Sequence, residues 1–424
     1  MTPALRIVLV LFVISLAAGA ITGTPLYYRL SYVWGFILLG SWGMSKMALR
    51  NIDSRRRART YRSQVGQIFE ERFEVINSTP IPRLWIEVRD ESTLPGTRGS
   101  HIITMIGGRR THSYLARKRL TSRGVFSLGP TVLVSGDIFG MFPVKRVFTS
   151  KNHLLVYPMI VEIYSFPNPP GLLPGGEALR RRTPHITSNA SGIREYEPGD
   201  PFNRIHWVST ARRNKLMSKE FELDPLAEVW IIVDADQNVN FSQPQPANEF
   251  THQDLWQRNY EFKIPPASIE YSVTIAASLA RFYMHRKRSV GVITSGSSIR
   301  VLPADRGSRQ LNKILEALAI VQPDGNLPLQ GLVEVQLRYL QRGSTIVLIT
   351  PNATQTVYQT VDMINRHGLR PMVILINPSS FGRAADPGQL QLKLQSAGVP
   401  AYQINQGDEI SKVLSNAVNM VAWY

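Results

Sequence analysis

The chain contains no cysteine. That excludes disulfides, thiol nucleophiles and zinc sites built on thiolates. Histidine is sparse, eight in 424 residues, and positions 101, 112, 153, 252, 285 and 367 lack the close spacing that metal ligation requires. No glycine-rich phosphate loop follows a strand-like run, which disfavours nucleotide binding by the chain itself. Acidic residues are also few. The 31 Asp and Glu face 48 Lys and Arg, leaving +17, so anionic lipid and nucleic acid are the partners that charge alone suggests.

Long hydrophobic runs are present. Residues 7–24 are almost purely apolar and residues 30–45 nearly so, with Pro25 and Arg29 between them. Each run is about the minimum length for crossing a bilayer, which predicts a transmembrane helical hairpin over residues 1–49. Arg50, Arg55, Arg56, Arg57, Arg59 and Arg62 follow directly. Positive flanks stay inside, so a multi-pass protein of the cell membrane is expected, with both termini and its globular part cytoplasmic. Arg6, the first run and Ala18-Gly19-Ala20 also have the form of a cleavable signal peptide, but the second run with its arginines would still stop transfer. The arginine cluster reads as a contact to membrane lipids. A specific nucleic-acid site would want interleaved aromatics, and Tyr61 alone supplies them.

Residues 50–164 read as a β-rich, sandwich-like domain. Strands are expected at 69–75, 84–88, 102–106, 124–128, 131–134 and 153–157, each rich in β-branched or aromatic residues and bounded by turn formers. Asp137 and Gly140 are expected to shape a turn. Arg109, Arg110, Arg117, Lys118 and Arg119 read as a second basic, solvated face. Residues 165–176 form a proline- and glycine-rich connector, and residues 165–223 combine it with a dense motif.

That motif spans residues 191–222. It turns at Glu197-Pro198-Gly199-Asp200, and a helix is expected to start with Asp200 as N-cap and Pro201 at the first helical position, ending at Asn214. Helical spacing puts Phe202, Ile205, His206 and Ser209 on one face and Arg204, Trp207 and Ala211 on the other. Large groups on both sides predict a helix wedged between two bodies, so Trp207→Ala is expected to cost about 3–5 kcal/mol. Arg194, Asp200 and Arg204 are expected to form a buried ion network at this junction. Ser209, His206 and Asp200 have the residue types of a hydrolytic triad, but Ser209 on a regular helix lacks the strained elbow that presents a nucleophile.

The pattern carried by Arg194, Tyr196, Gly199, Asp200, Arg204, Ile205, His206, Trp207, Thr210, Ala211 and Arg212 resembles the core of the bacterial domain-of-unknown-function-58 family. The phrases at residues 122–130 and 136–143 resemble it too. The resemblance implies a membrane anchor, a β-rich segment, a von Willebrand factor A-like domain and, as partner, a MoxR-type AAA+ ATPase. It implies no reaction.

Residues 224–424 alternate strand and helix. Strands are expected at 229–233, 289–293, 345–350, 372–377 and 401–404, with a short extra strand at 299–302. Helices are expected at 268–286, 308–320, 329–340, 354–367, 389–397 and 408–422. The fold class is therefore α/β, a doubly wound sheet whose ligand position is the carboxyl edge of the strands, preceded by the sandwich-like domain and the hairpin. By the family resemblance this sheet is the A-like domain. Where such domains carry an Asp-x-Ser-x-Ser magnesium motif, this chain has Asp234, Asp236 and Asn238, still oxygen donors suited to a hard cation. The polar stretch after them carries Phe241, Trp256 and Tyr260, expected to form a partner-binding loop. The function expected is a membrane-anchored, non-enzymatic adaptor without an obligatory cofactor. The alternative is a metal-dependent hydrolase acting on a membrane or envelope precursor through Asp234 and Asp236.

Overall fold

The computed structural model describes residues 2–96, 100–167, 190–197, 202, 205–221, 228–244, 262–383 and 386–421 of a mixed α/β protein. It divides into two units, Met1–Pro158 and Met159–Gln245 with Lys263–Tyr424.

The first unit begins with helices α1 (Pro3–Thr22) and α2 (Pro25–Ala48), which lie against each other. Proline opens both, at the position where a missing N–H is harmless. Gly23 closes α1 at φ 68°, its N–H bonded to the Gly19 carbonyl. The buried residues of the pair are small: Ser15, Gly19, Ser31, Ser41, Ser45 and Ala48. Ile7, Val10, Ile14, Val33, Phe36 and Leu39 are exposed. Among the described residues, α1 is the one helix long and apolar enough to cross a membrane. The same measure does not support the second span of the expected hairpin, because α2 carries Arg29, Lys46 and several serines.

Strands β1 (Ile52–Ala58), β2 (Arg62–Gln64), β3 (Ile68–Asn77), β4 (Arg83–Asp90), β5 (Ser100–Ile106), β6 (Thr111–Arg119), β7 (Gly124–Ser127), β8 (Thr131–Ser135), β9 (Val144–Phe148) and β10 (His153–Tyr157) follow. They form sheets ordered β1-β3-β6, β5-β4-β8-β9 and β2-β10-β7. The first two are antiparallel throughout. Ile52, Phe73 and Val75 of one meet Ile86, Val88, Ile103 and Leu133 of the other in a shared buried core, the packing of a sandwich.

Two expectations about arginine are corrected here. Residues 52–58 are a strand, so side chains alternate: Arg55 and Arg57 face outward while Arg56 turns inward. The Arg56 guanidinium grips Glu71 of β3 with two 2.6 Å bonds and reaches Asp90 of β4 at 2.8 Å. Lys118 of β6 completes the group on Asp90. The second basic cluster is likewise not a simple solvated face: Arg117 bonds Glu70, and Arg119 bonds the Gly66 carbonyl. Burial alone would push the Asp90 carboxyl up, but Lys118 and Arg56 outweigh it and hold it below the usual range.

The second unit contains β11 (Ala190–Glu195), α3 (Trp207–Arg213), β12 (Met217–Phe221), β13 (Val229–Val233), α4 (Ser268–His285), β14 (Val290–Ser295), β15 (Ile299–Asp305), α5 (Ser308–Ala319), α6 (Leu329–Leu337), β16 (Thr345–Thr350), α7 (Gln355–Arg366), β17 (Arg370–Ile376), α8 (Gly388–Ser396), β18 (Ala401–Ile404) and α9 (Ile410–Val421). Its main sheet is ordered β15-β14-β13-β16-β17-β18. All pairs are parallel except β15 on β14, an antiparallel edge. Strand alternation sends Trp230, Ile232, Ile346, Leu348, Val373 and Leu375 into one core with α6, α7 and α8. Their neighbours Ile231, Val233, Val347 and Ile349 are equally buried on the opposite face, the side of α4. With helices on both faces, the carboxyl ends of the parallel strands converge on one edge.

Candidate functional site

At that edge β13 runs out at Val233 into Asp234, whose N–H still bonds the Ile349 carbonyl of β16 at 3.0 Å. Asp234 is fully buried. One carboxylate oxygen accepts from the Thr350 hydroxyl at 2.6 Å and the other from the Asp236 amide at 3.2 Å. Asp236 accepts from both the backbone and side-chain amides of Asn238, each at 2.9 Å, an Asx-type turn. Asn240 bridges the loop, donating to the carbonyls of Asp234 and Asp236 and accepting from Ser268, the first residue of α4. Gly325 is drawn in so closely, bonding Ala235 and Gln237, that a Cβ there would meet the Ser295 carbonyl oxygen at 2.1 Å.

Burial pushes the Asp234 carboxyl up to about 6, against the opposing hydrogen bonds from Thr350 and Asp236. The donors Asp234, Asp236 and Thr350 suit a hard cation in kind. They do not suit it in arrangement: Thr350 already donates to Asp234, and Asn238 turns its amide nitrogen toward Asp236. Among the described residues, no three His, Asp or Glu side chains group as a metal site would require. Thr350, Asn240, Ser268 and Gly325 were not marked in the sequence. The signal for Thr350 was positional, a small polar residue at the carboxyl end of the parallel strand next to β13, whereas Asn240, Ser268 and Gly325 come from the loop after β13, the start of α4 and the segment after α5 and carry no such signal. Phe241 does not stand free as a binding loop. Its amide bonds Ser268, and the Arg383 guanidinium lies 4.4 Å over its ring. Trp256 and Tyr260 lie outside the described residues.

The dense motif folds as β11 paired antiparallel with β12, with α3 between them. Ile205 makes an isolated bridge to Ser218, and both are buried together with Met217. The expected N-cap is corrected. The cap of α3 is His206, whose Nδ1 accepts from the Ser209 amide at 3.2 Å and pairs with its hydroxyl at 2.8 Å. The Ser209–His206 contact is therefore a helix cap. Asn214 closes the helix in the left-handed conformation, as its residue type predicts. Thr210 ties the helix to β12 by accepting from the Met217 amide. Arg194 lies 3.6 Å from Glu197 and donates to the Glu195 carbonyl, and the Tyr196 ring stacks on Phe202 at 6.4 Å. Gly199, Asp200 and Arg204 lie outside the described residues, so the expected ion network does too. Arg212 falls in the last turn of α3, where a cation complements the helix dipole.

The wedge is corrected as well. Trp207 is 67% exposed, Val208 59% and Phe202 77%, and α3 has no buried residue. The apolar anchoring comes instead from Ile205 and Met217 at the ends of the segment. Helical spacing alone could not separate a covered aromatic from an uncovered one.

Residues 192–253 match the model of the protein family of unknown function DUF58. The uncharacterized protein YeaD of Bacillus subtilis (strain 168) is 22% identical over 230 residues, covering 54% of this chain and 51% of that protein. The match thus spans about half the length of that relative. Among solved structures, proximal thread matrix protein 1 from the mussel byssus overlaps 46% of this chain and 47% of its own at a TM-score of 0.29 and 10% identity. A CARDB domain from Pyrococcus furiosus overlaps 25% and 91% at 0.18 and 14%. Overlaps this low say nothing about the fold. The match over residues 192–253 and the distant similarity to YeaD support the resemblance of this chain to the DUF58 family, proteins of unknown function.

Proposed function

We propose that the protein is a membrane-tethered, non-enzymatic adaptor that holds a protein partner on the exposed apolar surface around Trp207 at the start of α3. The observation that carries this reading is the exposure of Trp207, with Val208 and Phe202 near it in sequence, inside the segment that matches the family. Tryptophan and phenylalanine left in water are unfavourable, and they dominate contact energies once covered. In this reading α1 and α2 form the tether as a hairpin, supported by small residues inside and large apolar ones outside, as in a bilayer. The arginines after α2 keep the body cytosolic. The parallel sheet is the von Willebrand factor A-like domain, and the family resemblance makes a MoxR-type AAA+ ATPase the leading partner. Pull-down from native membranes tests it: the wild type should recover an ATPase that Trp207→Ala loses. Recovery unchanged by that substitution, or no ATPase recovered with or without nucleotide, contradicts it.

A second reading, a metal-dependent hydrolase of a membrane or envelope precursor, is favoured by one observation, the buried proton-holding carboxyl of Asp234 beside Asp236. It requires that Asp236→Asn abolish an activity while leaving the fold intact.

A further inference from the structure

The loop 136–143, between β8 and β9, serves no purpose in the adaptor reading as it stands. Asp137 locks it: its carboxylate accepts from the amides of Phe139, Met141 and Phe142 at 3.0, 3.1 and 2.7 Å. The far side of the loop is fastened to both helices. Thr2, the N-cap of α1, donates to the Met141 carbonyl at 2.8 Å, and Ser45, in the last turn of α2, donates to the Phe142 carbonyl at 2.6 Å. At the tip Ile138 is 64% exposed and Phe139 58%. A loop this firmly held has little reason to present two large apolar side chains to water.

Its height relative to the helices supplies the reason. At 20 residues, α1 is about 30 Å long, the thickness of a hydrocarbon core. The loop is bonded at the first residues of that helix, so it lies where the chain would leave the bilayer. The same place carries a membrane-interface composition. Lys46 sits 5.7 Å over the Trp42 ring, and Arg6 and Lys145 are exposed nearby in the chain. An open cleft of about 620 Å³ is lined there by Thr2, Leu5, Trp42, Lys46 and Phe142.

Resting on the membrane-tether reading, we propose that loop 136–143 is a lipid-inserting loop. Ile138 and Phe139 enter the boundary between headgroups and acyl chains, and Lys46 in the adjoining cleft faces the phosphate of an anionic phospholipid. The loop is already in its final shape, so insertion costs little ordering. Burying two apolar residues beside a basic rim matches how interfacial anchors bind. The consequence is orientation: the β unit is held against the membrane at a third point beyond the two helices.

The chain lacks cysteine, so single labels can be placed without background. The full-length variants Ile138→Cys, Phe139→Cys, Val125→Cys and Phe36→Cys, each carrying an environment-sensitive fluorophore, are reconstituted in vesicles of phosphatidylethanolamine and phosphatidylglycerol. The proposal expects labels at 138 and 139 to be blue-shifted and quenched by nitroxide placed shallowly in the lipid. The label at 36 should be quenched by deep nitroxide, and the label at 125, on an exposed strand, by neither. Labels at 138 and 139 that stay water-exposed, or that shift without quenching as they would against protein, overturn the proposal while a deeply quenched label at 36 leaves the tether standing. If the label at 36 also escapes quenching, both fall.

Discussion

The most demanding test of the first unit is the replacement of Glu71 by Ala. Glu71 is 1% exposed and takes both forks of Arg56 at 2.6 Å, while Asp90 holds the remaining guanidinium nitrogen and Lys118. Arg56 also lies 5.0 Å over the Phe73 ring, which stacks on Tyr114. The four charges sum to zero and join β1, β3 and β6 of one sheet to β4 of the other. Removing Glu71 leaves a buried net positive charge and a half-satisfied guanidinium. Breaking a buried pair from one side costs about 3–5 kcal/mol. Asp90 still holds Arg56, so the lower end, about 3 kcal/mol, is expected. The paired replacement Arg56→Met with Glu71→Leu removes both charges and should recover stability to within about 1 kcal/mol of the wild type. Hydrogen exchange over β3 and β4, with full-length protein in detergent, isolates this unit from the other. Exchange in Glu71→Ala that corresponds to less than about 1 kcal/mol would refute the reasoning, because an exposed pair would give as much.

Trp207→Ala should leave the thermal midpoint nearly unchanged, within about 0.5 kcal/mol, since little of the ring is buried; calorimetry of the purified protein reads this directly. The Asp234 carboxyl keeps its proton to about 6 when folded but only to about 4 when unfolded, so its contribution is full below about pH 4 and is lost as pH rises through about 6. Asp234→Asn should therefore flatten the fall of stability over that range, worth roughly 3 kcal/mol at most, in denaturant titrations at stepped pH. For Asp90 the sign is opposite: stabilisation is present above its ordinary unfolded value and lost in acid, so the deficit of Asp90→Asn should shrink below about pH 4. A Cβ at Gly291 would meet the Trp230 ring at 2.6 Å, so Gly291→Ala should cost about 1–3 kcal/mol by overpacking, read as a lowered melting temperature.

The six-stranded sheet of the second unit was almost wholly legible. Strands buried on both faces leave long β-branched runs, and the expected strands at 229–233, 345–350 and 401–404 coincide with β13, β16 and β18. Gly368 and Gly398 adopt the positive φ of helix stops. In the first unit, β1 and β6 were invisible because more than half of their residues are arginine, lysine, histidine and serine, which obscure a period of two. What organises β1 and β6 is partly ionic, and an ion pair across a sheet leaves no periodic trace. The site at the sheet edge was half legible: Asp234 and Asp236 stood out by type, but their partner Thr350 lies 116 positions away in the chain. The burial of α3 was misjudged because spacing reports which side chains share a face, not whether anything covers that face.

The central claim is that the exposed surface around Trp207 and Val208 of α3 is offered to a protein. A photocrosslinking amino acid placed at Trp207 or Val208, irradiated in intact cells, tests it most directly. The account predicts a discrete protein adduct from both positions and none from Val125 on the other unit. Only lipid adducts, or none, from positions 207 and 208 would contradict it.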